Sequence, residues 1–327
     1  MKSIARFAAA GVALAVAATL TACTAATATP AHAPHPTIYT FTSDVNGFDT
    51  HTEFLDTGKS VVAFDAQFTP GYAEKAMAFL RTKTNHPVKY VVVTHPNPDK
   101  FQGIPTFKAA GAISIASTAT AEAMPRVWTY KKNFFVNVAK TFTNDNYPAL
   151  PAIDRTFNRR SKLVIDGVRI DLRVLDHPGI SSTQTIATVP ALKSVIVGDL
   201  VHHGAHAWLE GGIIDGKPAP ALDGWKQDLD QIKDHIPGTW TVYGGRGTTT
   251  TVYEAVTQQK AYLTAADRDV SALIAPLTPA QRTAALADPS ALVVQLVDKL
   301  TSQFPAHELP YMISYGSYGL ISQHLAQ

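Results

Sequence analysis

The stretch "VVVTHPNPDK", residues 91–100, guides the interpretation of the whole chain. Three valines and a threonine precede His95, and polar side chains then follow at every second position, at His95, Asn97 and Asp99. A short apolar run of this kind predicts a buried strand. The stretch therefore predicts a group of polar side chains at the carboxyl end of a buried strand.

The segments around this stretch predict a layered α/β protein. Helices are predicted from Thr69-Pro70 to about Thr82 and from Gly103 to Ala110. The apolar and alternating runs predict strands at 37–44, 50–58, 88–95 and 112–118, and a strand within 59–68 that ends in Asp65 and a turn. The resulting β-β-β-α-β-α-β order is typical of layered α/β domains.

The second half of the chain continues this pattern. "KLVIDGVRIDLRVLD", residues 162–176, predicts a hairpin that turns at Asp166-Gly167. Further strands are predicted at 184–190, 193–201 and 239–247, a helix at 225–236, and only helices after Tyr253. The aromatic residues of 128–135 have helical spacing, which favours core positions over a pocket. We expect one domain over 37–252 and a helical C-terminal extension over 253–327 that packs on it.

The N-terminus predicts export. Lys2 and Arg6 precede an apolar run over 7–20, which is the pattern of a signal peptide and is short for a membrane-spanning helix. Residues 20–23, Leu-Thr-Ala-Cys, resemble a bacterial lipobox, which predicts a signal peptide over 1–22.

Cys23 is the only cysteine in the chain, so it has no partner for an internal disulfide, and lipidation would explain its presence. The alternative cleavage site is Ala-His-Ala at 31–33, which would release a soluble protein. Residues 23–36 predict a flexible tether. We expect a periplasmic lipoprotein that is anchored to the membrane through Cys23.

The charge balance excludes one class of partner. The chain has 28 basic and 26 acidic residues, and cleavage before Cys23 would remove Lys2 and Arg6, which leaves 28 − 2 = 26 of each sign. A formally neutral chain without a basic block is not suited to nucleic acid, which is bound largely through phosphate charge. The expected partner is a small-molecule ligand or substrate.

Five landmarks in this order resemble the metallo-β-lactamase superfamily. They are Asp65 after a strand, Thr-His-x-x-x-Asp at 94–99, Pro-Gly-x-Ser at 178–181, Gly-Asp at 198–199, and Gly-x-Gly at 245–247. The resemblance implies a four-layer αββα sandwich with two zinc ions at one edge of the sheets. It also implies hydrolysis by a metal-bound hydroxide.

Several of the positions that hold zinc in this family carry other residues here. The resemblance places His95, Asp99 and Asp199 on ligand positions that are retained. The substituted ligand positions are Asn97, Lys100, Ile180 and Arg246. Zinc prefers imidazole, thiolate and carboxylate ligands, so an amide, an alkyl group and two cations are poor replacements.

The two cations suggest how the site is balanced without metal. Asp99 and Asp199 would be costly as unpaired buried carboxylates, and Lys100 and Arg246 could neutralise them. The hypothesis is an internal salt-bridge cluster that replaces the metal charge. The alternative is a decayed site in which Lys100 faces solvent and Arg246 caps a strand end.

Some metal binding stays possible on the sequence alone. One weakly bound zinc could be held by His95, Asp99, Asp199 and one nearby histidine, and His95 with Asp99 could also act in acid–base catalysis. The nearby histidines, which could also lie in the cleft behind the ligands, are His177, His202, His203 and His206. His206 is favoured because exported relatives carry a histidine there.

Three functions follow from these observations. The first is a hydrolase-like protein with a degenerate metal site and weak or lost zinc hydrolysis. The second is a mononuclear metal-dependent hydrolase of an ester, lactone or amide. The third is a metal-free periplasmic protein that binds a small ligand.

Overall fold

A computed structural model describes residues 35–327 of the protein. The predicted signal peptide, both cleavage sites, Cys23 and nearly all of the tether lie outside the described residues. Within 35–327, no helix combines the length and the apolar character needed to cross a membrane.

Two six-stranded sheets form the centre of the fold. The strands are β1 Thr37–Thr42, β2 His51–Asp56, β3 Val61–Phe64, β4 Val88–Val92, β5 Ile113–Ser117, β6 Arg155–Phe157, β7 Arg160–Ile165, β8 Val168–Val174, β9 Thr185–Val189, β10 Ser194–His203, β11 Gly212–Ile214, β12 Lys217–Ala219, β13 Thr241–Gly247 and β14 Thr250–Thr251. The first sheet has the order β1-β2-β3-β4-β5-β6, and the second has the order β14-β13-β10-β9-β8-β7. Strands β11 and β12 form a separate hairpin.

Helices cover the outer face of each sheet. They are α1 Pro70–Arg81, α2 Pro98–Phe101, α3 Ile104–Ala109, α4 Thr118–Asn133, α5 Leu222–His235, α6 Val252–Ile274, α7 Pro279–Ala287, α8 Ser290–Gln303, α9 Tyr311–Gly316 and α10 Tyr318–Leu325. One core lies between the sheets, and a further core joins each sheet to its helices. This is the αββα sandwich that the sequence predicts.

Local signals in the sequence account for several element boundaries. The side chain of Thr69 accepts a hydrogen bond from the Tyr72 amide at the start of α1, and Pro70 occupies the first turn. Asp166 and Gly167 both have positive φ angles, at 51° and 87°, as the two-residue turn between β7 and β8 requires. The helix starts and this hairpin follow from residues next to each other in the chain.

Strand β3 ends at Phe64, directly before Asp65, where the sequence predicts a turn. Asp65 and Gln67 adopt positive φ angles of 63° and 74°, which end the strand. The Asp65 carboxylate accepts hydrogen bonds from the Thr94 amide at 2.8 Å and the Thr94 hydroxyl at 2.9 Å. These bonds hold the end of β3 against the residues that follow β4.

The C-terminal extension shares a core with the second sheet. Helix α6 packs on α5 and β10, and Leu263, Leu296 and Leu320 belong to the same buried cluster as Val195 and Val242. The Thr278–Gln281 capping box that opens α7 forms as its sequence spacing predicts. Residues after 252 are therefore part of the outer helical layer.

Candidate functional site

The quoted stretch forms the first wall of the site. Asn97 precedes α2, and Asp99 and Lys100 lie in the first turn of that helix. The Lys100 side chain has no exposed surface and points into the protein. The structure therefore does not support a solvent-facing Lys100.

Strands β10 and β13 form the opposite wall. They are parallel neighbours, with Gly198 paired to Gly244 and His202 to Arg246, which brings Asp199 beside Arg246. A Cβ atom on Gly245 would lie 1.8 Å from Asp199 Oδ1. Only glycine at position 245 leaves room for the Asp199 carboxylate at this distance.

Asp99, Lys100, Asp199 and Arg246 form what we call the charge cluster. Lys100 Nζ lies 2.7 Å from Asp199 Oδ1 and 3.0 Å from Asp99 Oδ2. Arg246 Nη1 lies 2.6 Å from Asp199 Oδ2, and its Nη2 lies 2.9 Å from Asp99 Oδ2. The Lys100 contacts are short in distance but are poorly aligned as hydrogen bonds, whereas both Arg246 contacts are hydrogen bonds. Each cation therefore bridges both carboxylates.

The loop between β1 and β2 completes the bonding of the guanidinium group. Arg246 Nε donates to the Phe48 carbonyl at 2.7 Å, and Nη2 also donates to Thr50 Oγ1 at 2.9 Å. The Thr50 hydroxyl in turn donates to Asp99 Oδ2 at 2.9 Å. A buried arginine needs this number of acceptors because its planar group carries five N–H donors.

The pKa shifts show that the four charges support one another. Burial raises the pKa of Asp99, but Lys100 and Arg246 outweigh it and lower that pKa to about 2. Burial opposes ionisation of Asp199 as well, yet Arg246 and Lys100 hold its pKa well below the usual range. Burial lowers the pKa of Lys100 and of Arg246, and the two carboxylates reverse this and raise both. The cluster therefore carries two positive and two negative charges at neutral pH.

Two buried histidines lie next to the charge cluster. His95 Nε2 is 3.6 Å from Asp199 Oδ2, and His202 Nε2 is 3.9 Å from Asp199 Oδ1. His95 Nδ1 lies 2.9 Å from the Thr94 hydroxyl. Burial lowers the pKa of His202 to about 3, so its ring is neutral at physiological pH.

The donor set does not fit zinc in this arrangement. Both Asp199 oxygens and Asp99 Oδ2 already contact a cation within 3.0 Å. A zinc ion bonds a carboxylate oxygen at about 2 Å, so it would lie within about 5 Å of Lys100 Nζ or the Arg246 guanidinium. Each such contact would cost about 7 kcal/mol at an effective dielectric of 20, and arginine cannot deprotonate to relieve it.

The other predicted site residues lie elsewhere. Ile180 is a fully buried member of the core between the second sheet and its helices. His177 Nδ1 lies 3.0 Å from Asp228 Oδ1, and His203 Nδ1 lies 2.8 Å from the Thr248 hydroxyl.

His206 is buried against the C-terminal extension rather than exposed in a cleft. Its Nδ1 is 3.2 Å from the Tyr262 hydroxyl, and its ring lies 5.4 Å from that of His307. Burial lowers its pKa to about 4. Among the described residues that line the cavity above the charge cluster, neither His206 nor His177 is present.

That cavity is small and largely aromatic. Its volume is about 30 Å³, which is room for one or two water molecules. Asn97, Asp99, Asp199 and Arg246 form its polar base. Its walls are Phe48, Phe68, Pro98, Lys131, Phe135 and Trp208.

Most of these wall residues were not predicted. Phe48 lies in the loop between β1 and β2, and Trp208 lies in an irregular segment after β10. Lys131 of α4 forms an ion pair with Glu210, and its ammonium lies 4.7 Å from the centre of the Trp208 ring. Phe135 both packs in an aromatic cluster and lines the cavity, so the preference for a pure core role was incomplete.

The comparisons with known proteins agree with this architecture. Residues 52–252 match the family model of the metallo-beta-lactamase superfamily. A metallo-beta-lactamase from Pontibacter korlensis superposes with a TM-score of 0.53 at 19% identity, and the match covers 69% of this chain and 94% of that one. A metallo beta lactamase from Erythrobacter litoralis superposes with a TM-score of 0.51 at 14% identity, and the match covers 69% of this chain and 91% of that one.

Among curated proteins, none matches the sequence significantly. The family match spans well over half of the chain and contains the charge cluster and every strand of the two large sheets after β1, apart from the first residue of β2. The chain therefore belongs to the metallo-beta-lactamase superfamily, with the hydrolase-like fold of that group.

Proposed function

We propose that this protein does not use zinc, and that its degenerate metal site serves a small-ligand-binding protein with lost hydrolytic activity. The observation that carries this proposal is the position of Lys100 and Arg246, which each bridge Asp99 and Asp199. Two fixed cations stand where the family resemblance would place metal ligands. The cluster is electrically balanced and supplies no site for a dication.

The burial of the cluster supports a structural role for the ion pairs. Lys100 is fully buried, and Asp199 and Arg246 are nearly so. Removing one partner from a buried charge pair typically costs about 3–5 kcal/mol, because the other charge is left uncompensated. Lys100 and Arg246 would thus stabilise the fold at the position where metals would otherwise hold the two sheets together.

One observation favours the mononuclear alternative, a metal-dependent hydrolase of an ester, lactone or amide. His95 Nε2 and both ring nitrogens of His202 have no hydrogen-bond partner among the described residues. Imidazoles near a carboxylate are the usual components of a zinc site. This alternative requires Lys100 or Arg246 to leave the cluster when metal binds.

Metal content separates the two functions. Mature protein purified without chelator should contain far less than one equivalent of zinc by inductively coupled plasma mass spectrometry. Titration of added zinc should give no tight binding by calorimetry. Two tightly bound equivalents would overturn the proposal, and one equivalent that Asp199→Asn removes would establish the mononuclear alternative.

Turnover provides a second test. A chromogenic β-lactam, a lactone and an aryl ester should each show no hydrolysis that depends on added zinc. Loss of a measured activity on treatment with EDTA, and its return with zinc, would restore the enzyme interpretation. The panel covers the three bond types that the family resemblance suggests.

We also propose that the protein is exported and that Cys23 carries the lipid that tethers it in the periplasm. The support is the Leu-Thr-Ala-Cys sequence at 20–23 together with the preceding apolar run. Intact-mass analysis of membrane-extracted protein should show a diacylglycerol adduct on Cys23. A mature chain that begins after residue 33 would contradict this.

A further inference from the structure

An open pocket lies beside the small cavity and shares three of its wall residues. This aromatic pocket is lined by Phe48, Phe68, Phe135, Phe142, Tyr311 and Tyr315. Its volume is about 530 Å³, whereas the cavity above the charge cluster has about 30 Å³. Pockets that bind small organic molecules are typically about 300–1,000 Å³, so the aromatic pocket is large enough for one and the cavity above the charge cluster is not.

The rings of the pocket hold one another in place. Phe48 and Phe68 meet edge to face at 5.0 Å, and Phe68 meets Phe142 in the same way at 5.7 Å. Phe135 contacts Phe68 at 5.1 Å. Such contacts are favourable beyond simple burial, and the pocket is preformed because its walls already pack against each other.

The C-terminal extension supplies one wall. The Tyr311 hydroxyl donates to Asp49 Oδ2 at 2.7 Å, which fixes α9 to the loop between β1 and β2. The Tyr315 ring stacks on Trp208 with a centroid distance of 6.2 Å and an interplanar angle of 2°. A domain that ended near residue 252 would lack this wall.

The pocket contains no charged lining residue among those described. Asp49, next to Phe48 in the chain, already accepts a hydrogen bond from the Tyr311 hydroxyl, and Lys131 is paired with Glu210. The charge cluster beneath Phe48 has two charges of each sign. The lining residues offer a charged ligand no ion pair to offset the loss of its hydration, whereas an uncharged ring system would bury apolar surface against the rings.

We propose that the aromatic pocket binds an uncharged, ring-containing apolar small molecule. This inference rests on the proposed ligand-binding function and moves the ligand away from the former metal position. The polar groups available to orient the ligand are the side chains of Asn46 and Thr141 and the hydroxyl of Tyr311.

Fluorescent probes of different charge test the chemistry of the ligand. The full mature protein is titrated with N-phenyl-1-naphthylamine, which is uncharged, with anionic 8-anilino-1-naphthalenesulfonate and with cationic thioflavin T. The uncharged probe should bind saturably, with one site and at least tenfold higher affinity than either charged probe. Equal or stronger binding of a charged probe would overturn the proposed ligand class.

A pair of variants tests the location. Tyr315→Ala removes one wall and should weaken N-phenyl-1-naphthylamine binding about three- to tenfold, as expected for loss of one aromatic contact. Tyr253→Ala is the control, because Tyr253 is 62% exposed on α6 and Tyr315 is 44% exposed on α9. Circular dichroism should show that both variants stay folded. If the two variants weaken probe binding equally, or if the probe does not bind saturably, the assignment of the ligand to the aromatic pocket is wrong.

The outcome is independent of the metal measurements. If the probes fail to bind but zinc is also excluded, the inference fails while the loss of zinc chemistry stands. If the protein binds two zinc ions and also binds the uncharged probe in the aromatic pocket, the proposed function fails while the assignment of the pocket stands.

Discussion

The charge cluster and the aromatic pocket lie on the two sides of Phe48 and differ in almost every physical property. The charge cluster is buried and held together by short ion pairs, and the cavity above it has a volume of about 30 Å³. The pocket is open, uncharged and about 530 Å³. The polar part of this cleft is therefore closed by its own ion pairs, whereas the apolar part is open.

Phe48 connects the two regions. Its carbonyl accepts the Arg246 Nε proton in the cluster, and its ring lines the pocket. Phe48 and Asp49 have positive φ angles of 63° and 48°, a conformation that non-glycine residues seldom adopt. The contacts of Arg246 and Tyr311 hold this turn in place, so the cluster and the pocket are linked through a single loop.

The largest expected effect on stability comes from a substitution that breaks the charge cluster and leaves the lining of the aromatic pocket unchanged. Lys100→Met keeps the length of the side chain but leaves Asp99 and Asp199 with one cation. We expect a loss of about 3–5 kcal/mol in the free energy of unfolding, measured by urea denaturation. Lys233→Met, at an exposed site of α5, is the control and should change stability by less than about 0.5 kcal/mol. A loss below 1 kcal/mol in Lys100→Met would mean that the cluster is not structurally important.

Glu53 shows what happens to a buried carboxylate without a close cation. Burial raises its pKa from 4.5 to about 8, and the 2.6 Å hydrogen bond from Thr40 only partly opposes this. Asp99, beside Lys100 and Arg246, has a pKa of about 2. The difference between the pKa values of Glu53 and Asp99 shows how strongly Lys100 and Arg246 favour the ionised form of a buried carboxyl group.

The raised pKa of Glu53 predicts a pH dependence with a definite sign. Its contribution to stability is fully present below pH 4.5 and is lost as pH rises through about 8, because only the unfolded state releases the proton over that range. Relative to Glu53→Gln, the wild type should lose about 2–4 kcal/mol between pH 5 and pH 8. Urea unfolding at both pH values checks this, with exposed Glu74→Gln as the control. A parallel pH dependence in wild type and Glu53→Gln would contradict it.

Placing histidines at three of the substituted ligand positions tests whether the side chains alone prevent zinc binding. The triple variant Asn97→His, Lys100→His and Arg246→His replaces both cations with imidazoles. We expect its zinc affinity to exceed that of the wild type by about a hundredfold, or roughly 2.7 kcal/mol, by calorimetry. Asp199→Asn in the same background should remove the gain. If the triple variant binds no zinc, the backbone at this edge has also changed.

The smallest expected effect comes from a substitution in the lining of the aromatic pocket. Tyr311→Phe removes the hydroxyl that donates to Asp49 and should cost about 1 kcal/mol of stability. Binding of N-phenyl-1-naphthylamine should weaken about two- to threefold while zinc remains excluded. Tyr318→Phe, on the exposed surface of α10, is the control. Unchanged stability in Tyr311→Phe would show that the α9 contact is unimportant.

Much of the fold and part of the site could be predicted from local patterns. Helix starts such as Thr69-Pro70 and the Asp166-Gly167 turn depend on neighbouring residues. The end of β3 at Asp65 was predicted, but the bond between Asp65 and Thr94 could not be, because Thr94 is distant in sequence. His206 was favoured as a cleft residue, but its neighbours are Tyr262 of α6 and His307 of the segment between α8 and α9, and no local pattern shows how these pack.

The amino-acid sequence alone establishes which charges are available at the family's ligand positions, because two cations and two carboxylates there must be paired once buried. The folding of the chain determines how each cation bridges both carboxylates and how rings from distant segments surround an open pocket. Phe48, Phe135 and Tyr315 are separated by up to 267 residues, since 315 − 48 = 267. Their contacts arise from how loops and the C-terminal helices pack, and packing of this kind leaves no periodic signal in the chain.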